Sequence, residues 1–203
     1  WTHIGEASDE EDDKSQQIFN DAYSYAINAG LRIQERHLAA SAASYARPDF
    51  RYDFSRVGGF TYGVAPGDAV GPAQLGLEPV MTARAEVCDL SEFDSRRVLS
   101  IDAGFLDGVP DWVLVNGRIS QLPQPGFEVS IEGKRFPIIN VEPTRMTIDC
   151  ASMETVPRIG QEVILFGSHL RSEPVLQEWA DALGTVGEEI VVRMGQRNER
   201  NYC

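Results

Sequence analysis

Residues 63–79, "GVAPGDAVGPAQLGLEP", divide the chain into two stretches that cannot share one folding pattern. The segment is rich in Gly, Ala and Pro and reads as a linker or long loop. Ahead of it, helical and strand-like segments alternate; beyond it, strand-like runs dominate. The boundaries are expected at residues 1–65 and 66–203.

In the first stretch, "SQQIFNDAYSYAINAG" places Ile18, Phe19, Ala22, Tyr25, Ala26 and Ala29 at helical spacing, with Gly30 where a helix stops. The acidic "EASDEEDD" before it reads as a solvated loop, and Trp1–Ile4 reads as a strand. Leu31 and Ile33 open a short apolar segment that ends near His37. Ala39–Ala46 reads as a short helix stopped by Pro48, and "YDFSRVGGFTYG" follows as a further strand-like segment. Strand, helix, strand, helix, strand implies parallel strands with their functional ends on one side.

That pattern is incomplete by itself. Parallel sheets are buried on both faces, and open edges invite pairing with another chain. A (β/α)8 barrel closes its edges but takes about 250 residues, against roughly 65 here. The strands therefore complete a barrel with another polypeptide, or an N-terminal part has been removed; a small open sheet covered by the β domain is the plainer alternative. The chain starts with Trp, as though a strand had been entered halfway along.

The second stretch contains "VMTARAEVCDL", "RRVLSIDAG", "DWVLVNGRI", "GFEVSIEGKRFPIINV", "RMTIDCA" and "QEVILFG", short and rich in β-branched residues. Asn116-Gly117 and Glu132-Gly133 read as hairpin turns. "EPVLQEWADALG" reads as a helix from about Pro174 to Gly184, and "EEIVVRMG" as a final strand. The fold class expected is α/β plus all-β: the C-terminal part of a (β/α)8 barrel followed by a mostly antiparallel β domain.

Charge excludes several partners. The net charge of −13, from 18 basic and 31 acidic residues, disfavours nucleic acid, whose affinity comes from neutralising phosphates. It equally disfavours an anionic membrane surface, and no apolar run reaches the roughly 20 residues that span a bilayer. Cys88, Cys150 and Cys203, odd in number and widely spaced, fit reduced thiols of a cytoplasmic protein. The histidines and cysteines lack zinc spacing, and the acidic run lacks EF-hand spacing, so no metal is expected. No P-loop, GxGxxG or GxSxG motif is present.

Several segments, in order, resemble the pyridoxal 5'-phosphate (PLP)-dependent alanine racemase family. "THIGEASDEEDD" is similar to the family's "THFA-x-ADE", "RHLAASAA" to "xHAANSAA", and "SRVGGFTYG" to "xRPGIxLYG". "LGLEPVMTARAEV" is similar to "LGLxPVMxxxAxV", "AGFLDGVP" to "xGYADGYP", and "RMTID" to the end of "SMDMTMID". "GQEVILFG" and the closing segment through Tyr202 follow the family's order. The resemblance begins well inside the family's barrel.

The resemblance implies a cofactor site. Arg56 would face the pyridine nitrogen, in a network with His3 and His37. Its planar, permanently charged fork suits that role. Ser41 and the backbone of Gly58 and Gly59 would cradle the phosphate, although a Gly-Gly turn with no ligand is the plainer account of that pair. Ala40 stands where the family has Asn, Gly59 where it has Ile, and Glu188 where it has a phosphate-binding tyrosine. A carboxylate there repels a phosphate.

The catalytic groups are absent from the sequence. The lysine that carries the cofactor belongs to an N-terminal part, and neither Lys14 nor Lys134, the two lysines here, is placed to substitute. The interval where the family carries its catalytic tyrosine is shortened to "CDLSEFDSRR", with no tyrosine. Phe105 replaces a second tyrosine, and Pro143 and Thr144 replace the Met and Asp of "SMDMT". The expectation is an amino-acid racemase lineage that needs an N-terminal half bearing the lysine, with weak or absent racemisation. An oligomer through the β domain and a small amino-acid substrate are the partners it implies; a diverged member serving other PLP chemistry, binding or assembly is the alternative.

Overall fold

The computed structural model describes residues 8–66, 70–93, 96–110, 113–115, 118–120, 126–194 and 197–202. They form two compact units, divided between Pro66 and Gly67. The expectations for Trp1–Ile4, His3, the Asn116-Gly117 turn and Cys203 fall outside the described residues.

The first unit opens with helix α1, Asp9–Asn28. It begins inside the acidic run, which is thus a first helical turn and not a loop. Ser8 caps it by accepting the Glu11 N–H at 3.4 Å, and Asp9, Glu10, Glu11 and Asp12 crowd its N-terminus. Carboxylates there oppose the positive end of the helix dipole, which favours helix over coil. Asp13 also pairs with Arg47 at 2.6 Å. At the other end Gly30 takes φ +82, the left-handed stop its position suggested.

Helix α2, Ser41–Ala46, ends before Pro48 as expected. Leu38, Ala39, Ala43 and Phe50 form a small buried core, with Phe19 and Tyr52 packed against it. The strand-like segments around it do not form a sheet among the described residues. Their pairing is reduced to one parallel bridge, Ala40 to Arg56. Residues 36–39 and 50–56 are otherwise joined by separate backbone bonds, without the evenly spaced ladder of a parallel pair.

The second unit is a closed antiparallel barrel. Its strands are β1 (Ala83–Phe93), β2 (Arg96–Ile101), β5 (Glu128–Ile131), β6 (Lys134–Val141), β7 (Met146–Asp149) and β8 (Glu162–Phe166). Around the barrel the order is β1-β2-β7-β6-β5-β8, while β3 (Val113–Val115) and β4 (Arg118–Ser120) form a separate hairpin. Closure removes the sheet edges that would otherwise pair with other chains. Period-2 alternation places Phe136 and Ile138, Met146 and Ile148, and Val163 and Leu165 inside. The Glu132-Gly133 turn joins β5 to β6, with φ +51 and +76, as a two-residue hairpin of the type I′ class requires.

Helix α3, Leu176–Leu183, closes the barrel and stops at Gly184, as the sequence suggested. Its Trp179 is fully buried against Phe127 and Phe166, with ring centroids 4.5 and 5.4 Å away. "EEIVVRMG", expected as a strand, is instead helix α4, Gly187–Arg193. Gly187, Ile190 and Met194 are buried while Val192 is exposed, a 3.6-residue rhythm. Burial of that face overrides the β preference of the Ile-Val-Val run.

The segment between β8 and α3 is pinned at both ends. Arg135 of β6 donates to the carbonyls of Ser172 and Glu173 and to the Glu178 carboxylate, at 3.2, 2.8 and 2.7 Å. Buried Glu173 accepts both arms of Arg171, at 2.7 and 3.0 Å, and the Ser168 N–H at 2.6 Å. Arg171, with the Ser168 N–H, holds the Glu173 carboxyl below the usual range. A group with a lowered folded pKa stabilises above its unfolded value, and that stability fades as pH falls through the folded one. Glu173→Gln is therefore expected to cost about 2 kcal/mol at neutral pH. Its gap from the native chain should shrink as pH drops below the ordinary glutamate value of 4.5, read by urea melts across pH.

Candidate functional site

Two residue pairs define the candidate site in the first unit. Residues 36–39 run beside 50–56, tied by Asp53 N–H to the Arg36 carbonyl (3.1 Å), Ala39 N–H to the Phe50 carbonyl (3.3 Å) and Arg56 N–H to the Ala39 carbonyl (2.9 Å). The Asp53 carboxylate also accepts the Arg36 N–H at 2.7 Å. This lacing sets His37 next to Arg56, and Ser41 next to Gly58.

The Arg56 guanidinium lies 3.0 Å from His37 Nδ1. Guanidinium has only donors, so Nδ1 presents its lone pair and the ring proton sits on Nε2. His37 is further held by the ring of Phe54, stacked at 4.7 Å and 25°. Phe54 was not among the residues singled out from sequence, and an aromatic two positions before an arginine gives no signal of such stacking. Both His37 and Arg56 are half-buried, positioned by backbone and ring yet open on one side.

Ser41 opens helix α2, and its Oγ accepts the Gly58 N–H at 3.0 Å. That bond uses a lone pair and leaves the hydroxyl proton to donate elsewhere. The first-turn N–H groups of α2 have no carbonyl partner within the helix. Gly59 begins a short 3-10 turn through Tyr62, whose Thr61 closes back on the Gly58 carbonyl through both N–H (2.9 Å) and hydroxyl (2.6 Å). A Cβ placed on Gly58 would meet nothing within 4 Å, so the approach to this backbone is clear. The fold thus joins His37 to Arg56 and Ser41 to Gly58, with Gly59 adjoining.

The remaining positions lie in the second unit or on α1. Phe105, part-exposed, sits in a turn whose Phe105 and Leu106 N–H groups donate to the Glu142 and Pro143 carbonyls at 2.9 and 2.8 Å. Gly104 is required there, because a Cβ would run into the 142–145 backbone. Glu188 is an exposed first-turn residue of α4. Lys14 is exposed on α1, and Lys134, at the β5–β6 hairpin, is near Glu154 at 3.7 Å. Among the described residues no group of three potential metal ligands converges, and no helix is long and apolar enough to cross a membrane.

Comparison with known proteins matches residues 90–202 to the alanine racemase C-terminal domain and residues 1–66 to the alanine racemase N-terminal domain. The alanine racemase of Salinispora arenicola is 32% identical over 206 residues, covering 94% of this chain and 52% of the relative. That of Thermobifida fusca is 34% identical over 202 residues, with 92% and 50% covered. Among solved structures, the alanine racemase of D-cycloserine-producing Streptomyces lavendulae aligns with a TM-score of 0.82 at 28% identity, over 97% of this chain and 54% of that one. The Bartonella henselae alanine racemase, solved with covalently bound pyridoxal phosphate, aligns at 0.68 and 26% identity, with 90% and 48% covered. The chain spans about half the length of the curated relatives it matches.

Proposed function

The chain belongs to the alanine racemase family, and from that premise we propose that it is the C-terminal portion of a cytoplasmic PLP-dependent protein. In this reading residues 1–65 are part of a (β/α)8 barrel and residues 66–203 are its β domain. A further polypeptide stretch supplies the remaining barrel strands and the cofactor-bearing lysine. The assembly is an oligomer through the β domain, with a small amino acid as substrate.

The observation that carries this reading is the pairing of Arg56 with His37 beside the Ser41–Gly58 bond. These residues fit the cofactor. The Ser41 hydroxyl, the Gly59 N–H and the start of α2 offer donors to a phosphate, while the Gly58 N–H holds Ser41 Oγ in place and the open side of Gly58 admits the group. Arg56, fixed by His37, offers N–H donors to a ring nitrogen that accepts them. When bound, the cofactor supplies an electron sink that acidifies the α-proton of an amino acid. Arg56 would leave the ring nitrogen without a proton, since a guanidinium can only donate. His3, outside the described residues, is proposed as the third member of this network.

A second reading has specific support. Phe105, Pro143, Thr144 and Glu188 each depart from groups the resemblance places in the active site. A diverged member that retains the cofactor for other chemistry, binding or assembly accommodates those changes. Both readings expect Ser41→Ala to weaken cofactor affinity of the completed assembly by roughly tenfold, the worth of one hydrogen bond to a charged group. Equilibrium titration of the cofactor by absorbance measures it; an unchanged affinity would remove the phosphate site from Ser41 and Gly58.

A further inference from the structure

On the outside of the β barrel, a cleft of about 510 Å³ opens across β1, β8 and β5. Its origin lies in the strand register. β1 and β8 share four register pairs, but β5 and β8 share only Ser130 with Ile164. The two strands part beyond that point, and Ser130, 2% exposed, lies on the floor of the opening.

Charge surrounds the opening in alternating sign. Arg84 donates through Nη1 to Glu162 at 3.0 Å on one rim. Arg171 donates through Nε and Nη2 to Glu173 on the other. Glu173 is fixed over Gly167, where any Cβ would collide with its carboxylate. Each guanidinium keeps N–H groups beyond those bonds. Glu132, at the far end, accepts a neutral Gln161 amide at 3.0 Å and has no cation partner among the described residues. Two guanidiniums thus face three carboxylates, one of them unmatched.

We infer that this cleft binds a free α-amino acid with a cationic side chain, its carboxylate on Arg84 and Arg171 and an ammonium group on Glu132. One carboxylate and two ammonium groups match both the arrangement and the excess negative charge. A fully anionic ligand would meet Glu132 unshielded, and a zwitterion of zero net charge would leave the cleft's excess negative charge unbalanced. The walls are preformed, since both rims are held by their own ion pairs, so little ordering opposes binding. The cleft lies wholly in the second unit and shares no residue with the proposed cofactor site, so the inference stands apart from the PLP reading.

Calorimetric titration of the whole chain with L-lysine, without cofactor, tests it. Saturable binding in roughly the millimolar range is expected for exposed ion pairs, weakening as salt rises. Glu132→Gln and Arg84→Met, at exposed side chains, should each weaken it about threefold or more, with unchanged melting of the chain. Lysine methyl ester, which lacks the carboxylate, should bind the native chain more weakly by a similar factor. Absence of saturation, equal binding of the ester, or variants that bind like the native chain would each overturn the site.

Discussion

Alanine racemisation by this chain, once completed with the rest of a barrel, should run about 10²–10⁴-fold slower than in its curated relatives. That factor is the usual worth of a general acid or base, and one of the two that racemisation needs has no counterpart here. Proton removal and return take place on opposite faces of the substrate carbon, so a lysine alone covers one face. The resemblance places the second group, a tyrosine, between the "ARAEV" and "AGFLDG" segments. In this protein that interval is the β1–β2 hairpin, paired continuously from Asp89 with Ser100 to Phe93 with Arg96. No tyrosine lies anywhere from Ala83 to Ile101. Phe105 sits close by in sequence, but without a hydroxyl it cannot carry a proton. A circular-dichroism assay of alanine isomerisation reads the rate directly. Turnover within tenfold of a curated relative would mean that another residue of the assembly returns the proton.

Trp179→Ala should destabilise the barrel by about 3–5 kcal/mol, a large part of the stability of an ordinary domain. Trp179 is fully buried and joins three elements: Phe127 ahead of β5, Phe166 at the end of β8, and helix α3 itself. Its Nε1–H also donates to the Glu128 carbonyl at 2.8 Å, tying the helix to the strand it covers. Removing the indole leaves a cavity at the closed end of the barrel and an unpaired carbonyl beside it. Trp179→Phe keeps much of the ring packing and loses the bond, so it should cost about 1–3 kcal/mol. Urea melts of the two variants separate packing from hydrogen bonding. A loss below about 1 kcal/mol for Trp179→Ala would mean that α3 does not close the core.

The β domain was largely legible because each strand is short, β-branched and bounded by a turn residue with a defined conformation, as at Glu132-Gly133. Barrel closure was not legible, since it depends on β1 meeting β8 across some 80 residues of chain, which no local pattern encodes. The misreading of Glu188–Gly195 has a local cause. Ile190, Val191 and Val192 favour a strand, and only the burial of Ile190 and Met194 on one face selects a helix. In the acidic run, side chains that looked like solvated charge turned out to complement a helix N-terminus and reach Arg47. For the site, Arg56 and His37 were joined by resemblance to a family motif, not by spacing. What sequence could not supply was the Phe54 stack or the way Ser41 takes up the Gly58 amide, since both depend on how residues 36–41 lie against 50–58.

The most direct test of the account is cofactor titration of this chain alone and of the chain with the polypeptide that completes its barrel. Borohydride reduction and peptide mapping then locate the attached lysine. The account predicts a visible band of lysine-bound cofactor in the assembly, the adduct on the companion stretch, and weaker binding after Ser41→Ala. An assembly with no such band, or an adduct on Lys14 or Lys134 formed equally well by the chain alone, would contradict it.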